Sequence, residues 1–210
     1  MDSWTLNFTA ETLSKDTSVL FVFSPPADDS LFKDQFPVVW KVVKFHAGHG
    51  AKATVRFDYR LAFGAATIDD DGMLDTFAWI EAQAGDVVHF GGHTEKFSTV
   101  SKSRRQDIIC RNNTSGRANL VLGALSGKGE KESFHPLFLW TNVGHNSIAA
   151  AKFAPTVSAH IIHIHNESQI LRREVETEAI MTIHLDSYVE NTNWGLVENE
   201  ETGEFNFYSC

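Results

Sequence analysis

The stretch Val55-Arg56-Phe57-Asp58-Tyr59-Arg60-Leu61-Ala62-Phe63 decides the fold class of this chain. Large apolar side chains occupy the odd positions, and Arg, Asp, Arg and Ala occupy the even ones. Successive side chains of a β-strand point to opposite faces of a sheet. The pattern therefore predicts one strand over residues 55–63, with one buried face and one solvated face.

The same period of two recurs on both sides of this stretch. Residues 4–10 alternate between large apolar side chains and Thr or Asn. Less regular apolar runs follow at 19–23, 38–45, 74–80, 86–90, 108–111, 118–125, 137–140, 157–165, 181–189 and 205–208. Segments rich in Gly, Pro, Asp and Asn separate them, as turns require. About ten short strands predict an all-β fold, either an antiparallel β-sandwich or a barrel-like sheet.

One segment departs from the strand pattern. Residues 167–180, with the sequence ESQILRREVETEAI, contain good helix formers, and Leu171, Val175 and Ala179 follow helical spacing. We expect at most one short helix here, and a strand that returns through a charged turn is the alternative. Because no linker, repeat or shift in composition interrupts the chain, residues 1–210 are predicted to form a single β-sandwich domain.

Charge and composition exclude several classes of protein. The 210 residues include 18 Lys and Arg against 27 Asp and Glu, a formal net charge of −9. This balance argues against a nucleic-acid partner, because phosphate contacts require a basic surface. No basic leader and no apolar run of about 18 residues occurs, so neither a secretion signal nor a membrane span is expected. With only 2 cysteines, we predict a cytoplasmic protein with reduced thiols.

Histidines provide the first candidate site. The chain has 10 of them, and His163, His165 and Glu167 would share one face of a strand that continues to residue 167. Two imidazoles and a carboxylate suit a divalent transition metal such as Zn, Cu, Fe or Mn. His89 and His93, on either side of a Gly-Gly turn, are further candidate ligands. The alternative is that these imidazoles lie on the solvated face of an edge strand, so no cofactor is assured.

Two segments resemble parts of the metal-binding cupin barrels. Residues 84–93, AGDVVHFGGH, are similar to the cupin stretch in which Gly-Asp leads into a strand, a glycine-rich turn and a histidine. The His163-x-His165 pair is similar to the cupin metal strand, although the two segments occur here in the reverse order. This resemblance implies a transition-metal-dependent enzyme.

A broader resemblance covers the second half of the chain. Residues 136–147 and 151–159, the later Gln169–Arg172 segment and the Asn193-Trp194 pair carry it. In overall texture they resemble a family of small, uncharacterised proteins of mushroom-forming (basidiomycete) fungi. The resemblance implies an all-β fungal protein of unassigned activity and supplies no catalytic residue.

A tryptophan among asparagines provides the second candidate site. Trp194 follows Asn191 and Asn193 in a polar segment that we predict to be a loop. An indole can stack on a sugar ring while neighbouring amides bind its hydroxyl groups. The alternative is an aromatic side chain that caps the end of the sandwich.

Three functions follow from these patterns. We favour a non-enzymatic, lectin-like binding module that recognises a carbohydrate, a small ligand or a protein through its end loops. The first alternative is a cupin-like metal enzyme of secondary metabolism that uses His163 and His165, for which no catalytic residues are assigned. The second is a homo-oligomer formed by pairing of edge strands.

Overall fold

Short β-strands make up nearly all of the regular structure. The computed structural model describes residues 3–25, 33–91, 96–162, 165–175 and 177–210. Within these residues the strands are β1 (Ser3–Ala10), β2 (Thr12–Leu13), β3 (Thr17–Phe23), β4 (Gln35–Pro37), β5 (Val39–Phe45), β6 (Gly48–His49), β7 (Lys52–Asp58), β8 (Leu61–Ile68), β9 (Leu74–Glu81), β10 (Asp86–Gly91), β11 (Lys96–Lys102), β12 (Ile108–Asn113), β13 (Ala118–Ser126), β14 (Ser133–Val143), β15 (Ile148–Ala151), β16 (Thr156–Ile162), β17 (Met181–His184), β18 (Asn191–Glu198) and β19 (Phe205–Ser209). Two single-turn 3-10 helices cover Gly129–Lys131 and Leu185–Ser187. The all-β prediction is confirmed, but the expected number of strands, about ten, was too low.

The strands form four larger sheets and one small ribbon. We name the larger sheets after an inner strand: the β1 sheet (order β19-β18-β1-β7), the β3 sheet (β17-β16-β3-β5), the β13 sheet (β4-β14-β13-β8-β9) and the β10 sheet (β11-β10-β12-β15). Strands β2 and β6 form the ribbon. Most neighbours are antiparallel, while β1 pairs with β18 and β10 with β12 in parallel. All four sheets are open, so the sandwich alternative holds and the barrel alternative is wrong.

One hydrophobic core joins the four larger sheets. Its buried members include Phe8 of β1, Phe21 of β3, Phe63 of β8 and Phe90 of β10. The rings of Phe8 and Phe21 lie with centroids 5.1 Å apart, so the inner faces of the β1 and β3 sheets pack against each other. The inner faces of the four larger sheets therefore share one core.

The alternating stretch 55–63 is divided between two sheets. β7 ends at Asp58 in the β1 sheet, and β8 begins at Leu61 in the β13 sheet. The Arg60 backbone N–H donates to the Asp58 carbonyl at 2.8 Å, which marks the bend between the strands. The expectation of one continuous strand is wrong because the chain bends from one sheet into the next. The expected alternation of burial is also lost there, since Tyr59 is 36% exposed and Ala62 is fully buried.

The helix expected within residues 167–180 does not form in the described part of that segment. Residues 165–175, which we call the strap, instead run across neighbouring strands. The Ile170 N–H donates to the Gly72 carbonyl at 3.0 Å, and the Leu171 N–H donates to the Pro37 carbonyl at 2.9 Å. Ile170 is buried in a cluster on the β13 sheet, while Leu171 is buried in another on the β3 sheet. The burial of these two side chains and their backbone hydrogen bonds together outweigh the helix propensity of the sequence.

A charged cluster closes one end of the β13 sheet. The Arg60 guanidinium lies 2.7 Å from Glu81 Oε2 and 2.8 Å from Glu132 Oε2, and it donates to the Gly127 carbonyl at 2.8 Å. Trp79 Nε1 donates to Glu132 Oε1 at 3.2 Å. The hydrogen bond from Arg60, with a smaller contribution from Trp79, lowers the pKa of Glu132. The ionised Glu132 carboxylate is therefore stabilised in the folded state.

We expect this carboxylate to make stability depend on pH in the acidic range. Because its folded pKa lies below the unfolded value of about 4.3, its contribution is complete above that value. It is lost as pH falls through the folded pKa. Urea unfolding of Glu132→Gln should show a loss of about 1 kcal/mol at pH 6 that shrinks towards pH 3. Glu130→Gln, a change at a neighbouring exposed carboxylate, is the control. An unchanged loss across this range would contradict the predicted linkage.

Candidate functional site

Trp194 belongs to the core and not to a loop. It lies in β18 with 5% of its surface exposed. Its Nε1 donates to Thr192 Oγ1 at 3.0 Å, and its ring packs against Tyr188 with centroids 5.6 Å apart. The loop prediction is wrong because the segment keeps the strand period, with Thr192, Trp194 and Leu196 all buried. The indole is thus engaged within the core of the fold.

The two neighbouring asparagines lie on the opposite side of β18. Because β1 and β18 pair in parallel, Thr5 lies beside Asn191, and Asn7 lies beside Asn193. Together with Thr9, these four residues form the outward side of two central strands, which we call the polar face. Neither strand carries a charged residue before Glu198, the last residue of β18. The five residues of the polar face are thus uncharged amides and hydroxyls, and on one side Arg56 and Lys52 of β7 lie next to Thr5 and Thr9.

Hydrogen bonds hold the polar face in place. Thr54 Oγ1, on the adjacent strand β7, donates to Asn7 Oδ1 at 3.0 Å. Asn7 Nδ2 in turn donates to Asn191 Oδ1 at 2.6 Å. Among the described residues, no side-chain hydrogen bond engages the amide of Asn193 or the Nδ2 of Asn191. Both groups remain as hydrogen-bonding partners for a ligand.

An aromatic ring lies at the border of the polar face. Tyr208 of β19 is paired with Gly195, and its ring covers that glycine: a Cβ at Gly195 would lie 2.2 Å from Tyr208 Cζ. The Tyr208 hydroxyl donates to Glu11, and this hydrogen bond raises the pKa of Tyr208 to about 12. The side chain is 41% exposed, so one surface of the ring rests on the sheet while another faces solvent.

Tyr208 was missed by sequence reasoning although its signal was present. Phe205 and Phe207 both pack against the main core, and the ring centroids of Phe207 and Phe8 are 5.0 Å apart. In a strand, the residues between and after them must point outward. The terminal Phe-Asn-Phe-Tyr sequence therefore indicates an outward tyrosine. Gly195, the residue that accommodates its ring, is on a separate strand and is identified only by the register.

The predicted metal ligands are not assembled among the described residues. Residues 165–167 are not part of a strand, so no strand reaches Glu167 as expected. Glu167 lies in a turn, where Lys41 Nζ is 3.1 Å from its Oε2 and the Val42 N–H donates to its Oε1 at 3.3 Å. His165 Nδ1 lies 3.2 Å from Gln169 Oε1.

The remaining metal candidates add no ligand set. His89 lies in the β10 sheet, with its Nδ1 3.0 Å from Asn113 Nδ2. His163 and His93 lie outside the described residues. Within the described ranges, no group of three or more His, Cys, Asp and Glu side chains has the arrangement of a metal site. The transition-metal site therefore stays a prediction that depends on His163 and His93.

Cys110 offers no reactive thiol. It is fully buried in β12, and this burial raises the pKa of its thiol to about 12. The nucleophilic form of cysteine is the thiolate. At neutral pH the Cys110 thiol is therefore protonated as well as inaccessible.

No helix among the described residues has the length and apolar character needed to cross a bilayer. The resemblance to basidiomycete proteins and to cupins stays a prediction. No protein-family model matches the chain, and neither a curated protein nor a solved structure gives a significant match.

Proposed function

We propose that this protein is a non-enzymatic, lectin-like module that binds a neutral carbohydrate on the polar face of the β1 sheet. The observation that carries the proposal is the Tyr208 ring held over Gly195 beside an uncharged row of amides and hydroxyls. The proposal keeps Asn191 and Asn193 from the sequence prediction. The stacking residue is Tyr208, because Trp194 is buried. The binding surface is the face of a sheet and not the end loops.

The chemistry of the polar face suits sugars. Each sugar hydroxyl both donates and accepts a hydrogen bond, and so does each asparagine amide. The C–H side of a pyranose ring is apolar and packs well on an exposed aromatic ring. Gly195 and Asn193 lie on the same side of β18, about 7 Å apart along the strand. One sugar unit on Tyr208 thus has its hydroxyls within reach of Asn193.

The site is also ordered before a ligand arrives. Glu11 binds the Tyr208 hydroxyl, and the hydrogen-bonded series Thr54–Asn7–Asn191 holds the amides. Binding to groups that are already held costs less side-chain entropy than binding to mobile ones. The central strands β1 and β18 carry no cationic residue. Lys52 and Arg56 flank the polar face on β7, two strands away from β18. A sugar that rests on Tyr208 and Asn193 therefore meets amides and hydroxyls first, which favours a neutral ligand.

We expect binding of neutral oligosaccharides to depend on the Tyr208 ring. A glycan array followed by isothermal titration calorimetry should identify a neutral ligand. Tyr208→Ala should then weaken its binding about tenfold, since it removes the stacking surface. Tyr208→Phe keeps the ring and should retain most of the affinity. Phe77→Ala, a change at an exposed aromatic residue on the β13 sheet, is the matched control.

Gly195→Ala gives a second test that leaves the tyrosine in place. The added Cβ would overlap the Tyr208 ring, which must move off the sheet. We therefore expect the same loss of binding as in Tyr208→Ala, with circular dichroism showing an unchanged fold. Either an array without a neutral glycan hit or full binding by both variants would overturn the proposal.

A further inference from the structure

A cavity of about 570 Å³ lies beside the strap, away from the polar face. This volume falls within the range of about 300–1,000 Å³ typical of small-molecule sites. Its apolar part is formed by Ile162 at the end of β16 and by Leu171 and Val175 of the strap. The cavity also has polar walls, which come from the strap and from the turn between β8 and β9.

Hydrogen bonds fix the walls on both sides. In the turn, Asp69 Oδ1 accepts from the N–H groups of Asp71 at 3.0 Å and Met73 at 2.8 Å. The strap is joined to this turn by the bond from the Ile170 N–H to the Gly72 carbonyl. Beyond the strap, Thr177 Oγ1 donates to the Ile161 carbonyl at 3.0 Å. The cavity is therefore formed before any ligand enters.

Charges of both signs line the cavity: the turn supplies only carboxylates, and the strap supplies both signs. Asp70 and Asp71 belong to the turn, whereas Arg172 and Arg173 belong to the strap. Among the described residues, no carboxylate forms an ion pair with Arg172. Glu174 also lines the cavity from the strap. A lining that combines apolar side chains, carboxylates and a cationic group matches a ligand with an apolar body, an amine and a carboxylate.

We propose that this cavity binds a small apolar zwitterion, either a hydrophobic amino acid or a short peptide with free termini. The carboxylate of the ligand pairs with Arg172, and its amine pairs with Asp70 and Asp71. The apolar side chains pack on Ile162, Leu171 and Val175. This site is separate from the sugar site, and its occupation does not depend on carbohydrate binding.

Calorimetry with three forms of one dipeptide tests the assignment on the full chain. The probes are leucylphenylalanine, its N-acetyl derivative and its C-terminal amide, and free leucine shows whether a single amino acid suffices. The free dipeptide should bind, and each blocked form should bind about tenfold more weakly, because each lacks one charge-assisted contact.

Variants connect each charge of the ligand to one wall. In Arg172→Gln, the free and amidated dipeptides should bind equally. In Asp70→Asn/Asp71→Asn, the free and acetylated forms should bind equally, while Asp69 still holds the turn. Arg104→Gln, a change at an exposed arginine in a different loop, should leave all three affinities unchanged.

Three results would overturn the proposal. The first is no binding of leucine or of any dipeptide form at millimolar concentration. The second is equal binding of the free and blocked forms by the unmodified protein. The third is an Arg172→Gln variant that still distinguishes the acid from the amide. Because all substituted positions are exposed, circular dichroism should confirm that each variant keeps the native fold.

Discussion

Phe57→Ala is expected to lower the free energy of unfolding by about 3–5 kcal/mol. Phe57 is 1% exposed, and its ring centroid lies 4.8 Å from that of Phe23 and 5.8 Å from that of Trp40. Phe57 belongs to the β1 sheet, while Phe23 and Trp40 belong to the β3 sheet. Removing the ring leaves a cavity at the contact between two sheets, which rigid neighbouring strands cannot fill.

Urea unfolding followed by tryptophan fluorescence measures this loss. Phe77→Ala is the matched control, because Phe77 is 50% exposed and lies on the edge strand β9. It should cost less than about 1 kcal/mol. Equal losses for the two variants would contradict the core that joins the β1 and β3 sheets.

Asn112→Ala is expected to destabilise the protein by about 2–4 kcal/mol. Asn112 is fully buried, and its Nδ2 donates to the carbonyls of Gly116 and Val143, both at 2.8 Å. Its Oδ1 accepts from the Thr114 N–H at 2.9 Å and from the Thr114 hydroxyl at 2.8 Å. The alanine variant removes all four bonds, and it leaves the buried Val143 carbonyl without its side-chain donor.

Asn113→Ala provides the comparison for this prediction. Asn113 is the next residue in the chain, is exposed and makes its side-chain contact with His89. Its loss should stay within about 0.5 kcal/mol. Thermal unfolding of both variants under the same conditions measures the difference. A small loss for Asn112→Ala would contradict this prediction, since water would then satisfy the Val143 carbonyl in its place.

The period of two carried most of the fold prediction, and its failures have physical causes. The run at 55–63 alternates in burial within β7, but the alternation stops at the bend. Both faces of β8 are buried, because the main core covers one and a second cluster covers the other. The helix prediction for the strap failed for a different reason. Its sequence favours a helix locally, but the burial of Ile170 and Leu171 in clusters on two different sheets requires an extended backbone. That requirement depends on distant strands and is absent from the local sequence.

Part of the candidate site was predicted from the sequence, and the pairing of strands explains why the rest was missed. Asn191 and Asn193 are exposed, as a binding site requires. Trp194, the residue after Asn193, faces the core together with Leu196. Tyr208 is close to these asparagines only because β19 pairs with β18 and places it opposite Gly195. Strand alternation indicates which side chains point outward. It does not indicate which strands become neighbours.

Chemical-shift mapping with a neutral oligosaccharide selected on the glycan array tests the central claim most directly. Nitrogen-15-labelled protein is titrated, and the backbone amides that shift are located in the fold. Binding on the polar face predicts that the largest shifts occur in residues 5–9, 191–195 and 206–209. Shifts concentrated in the loops at the ends of the sheets, with these three segments unaffected, would contradict it.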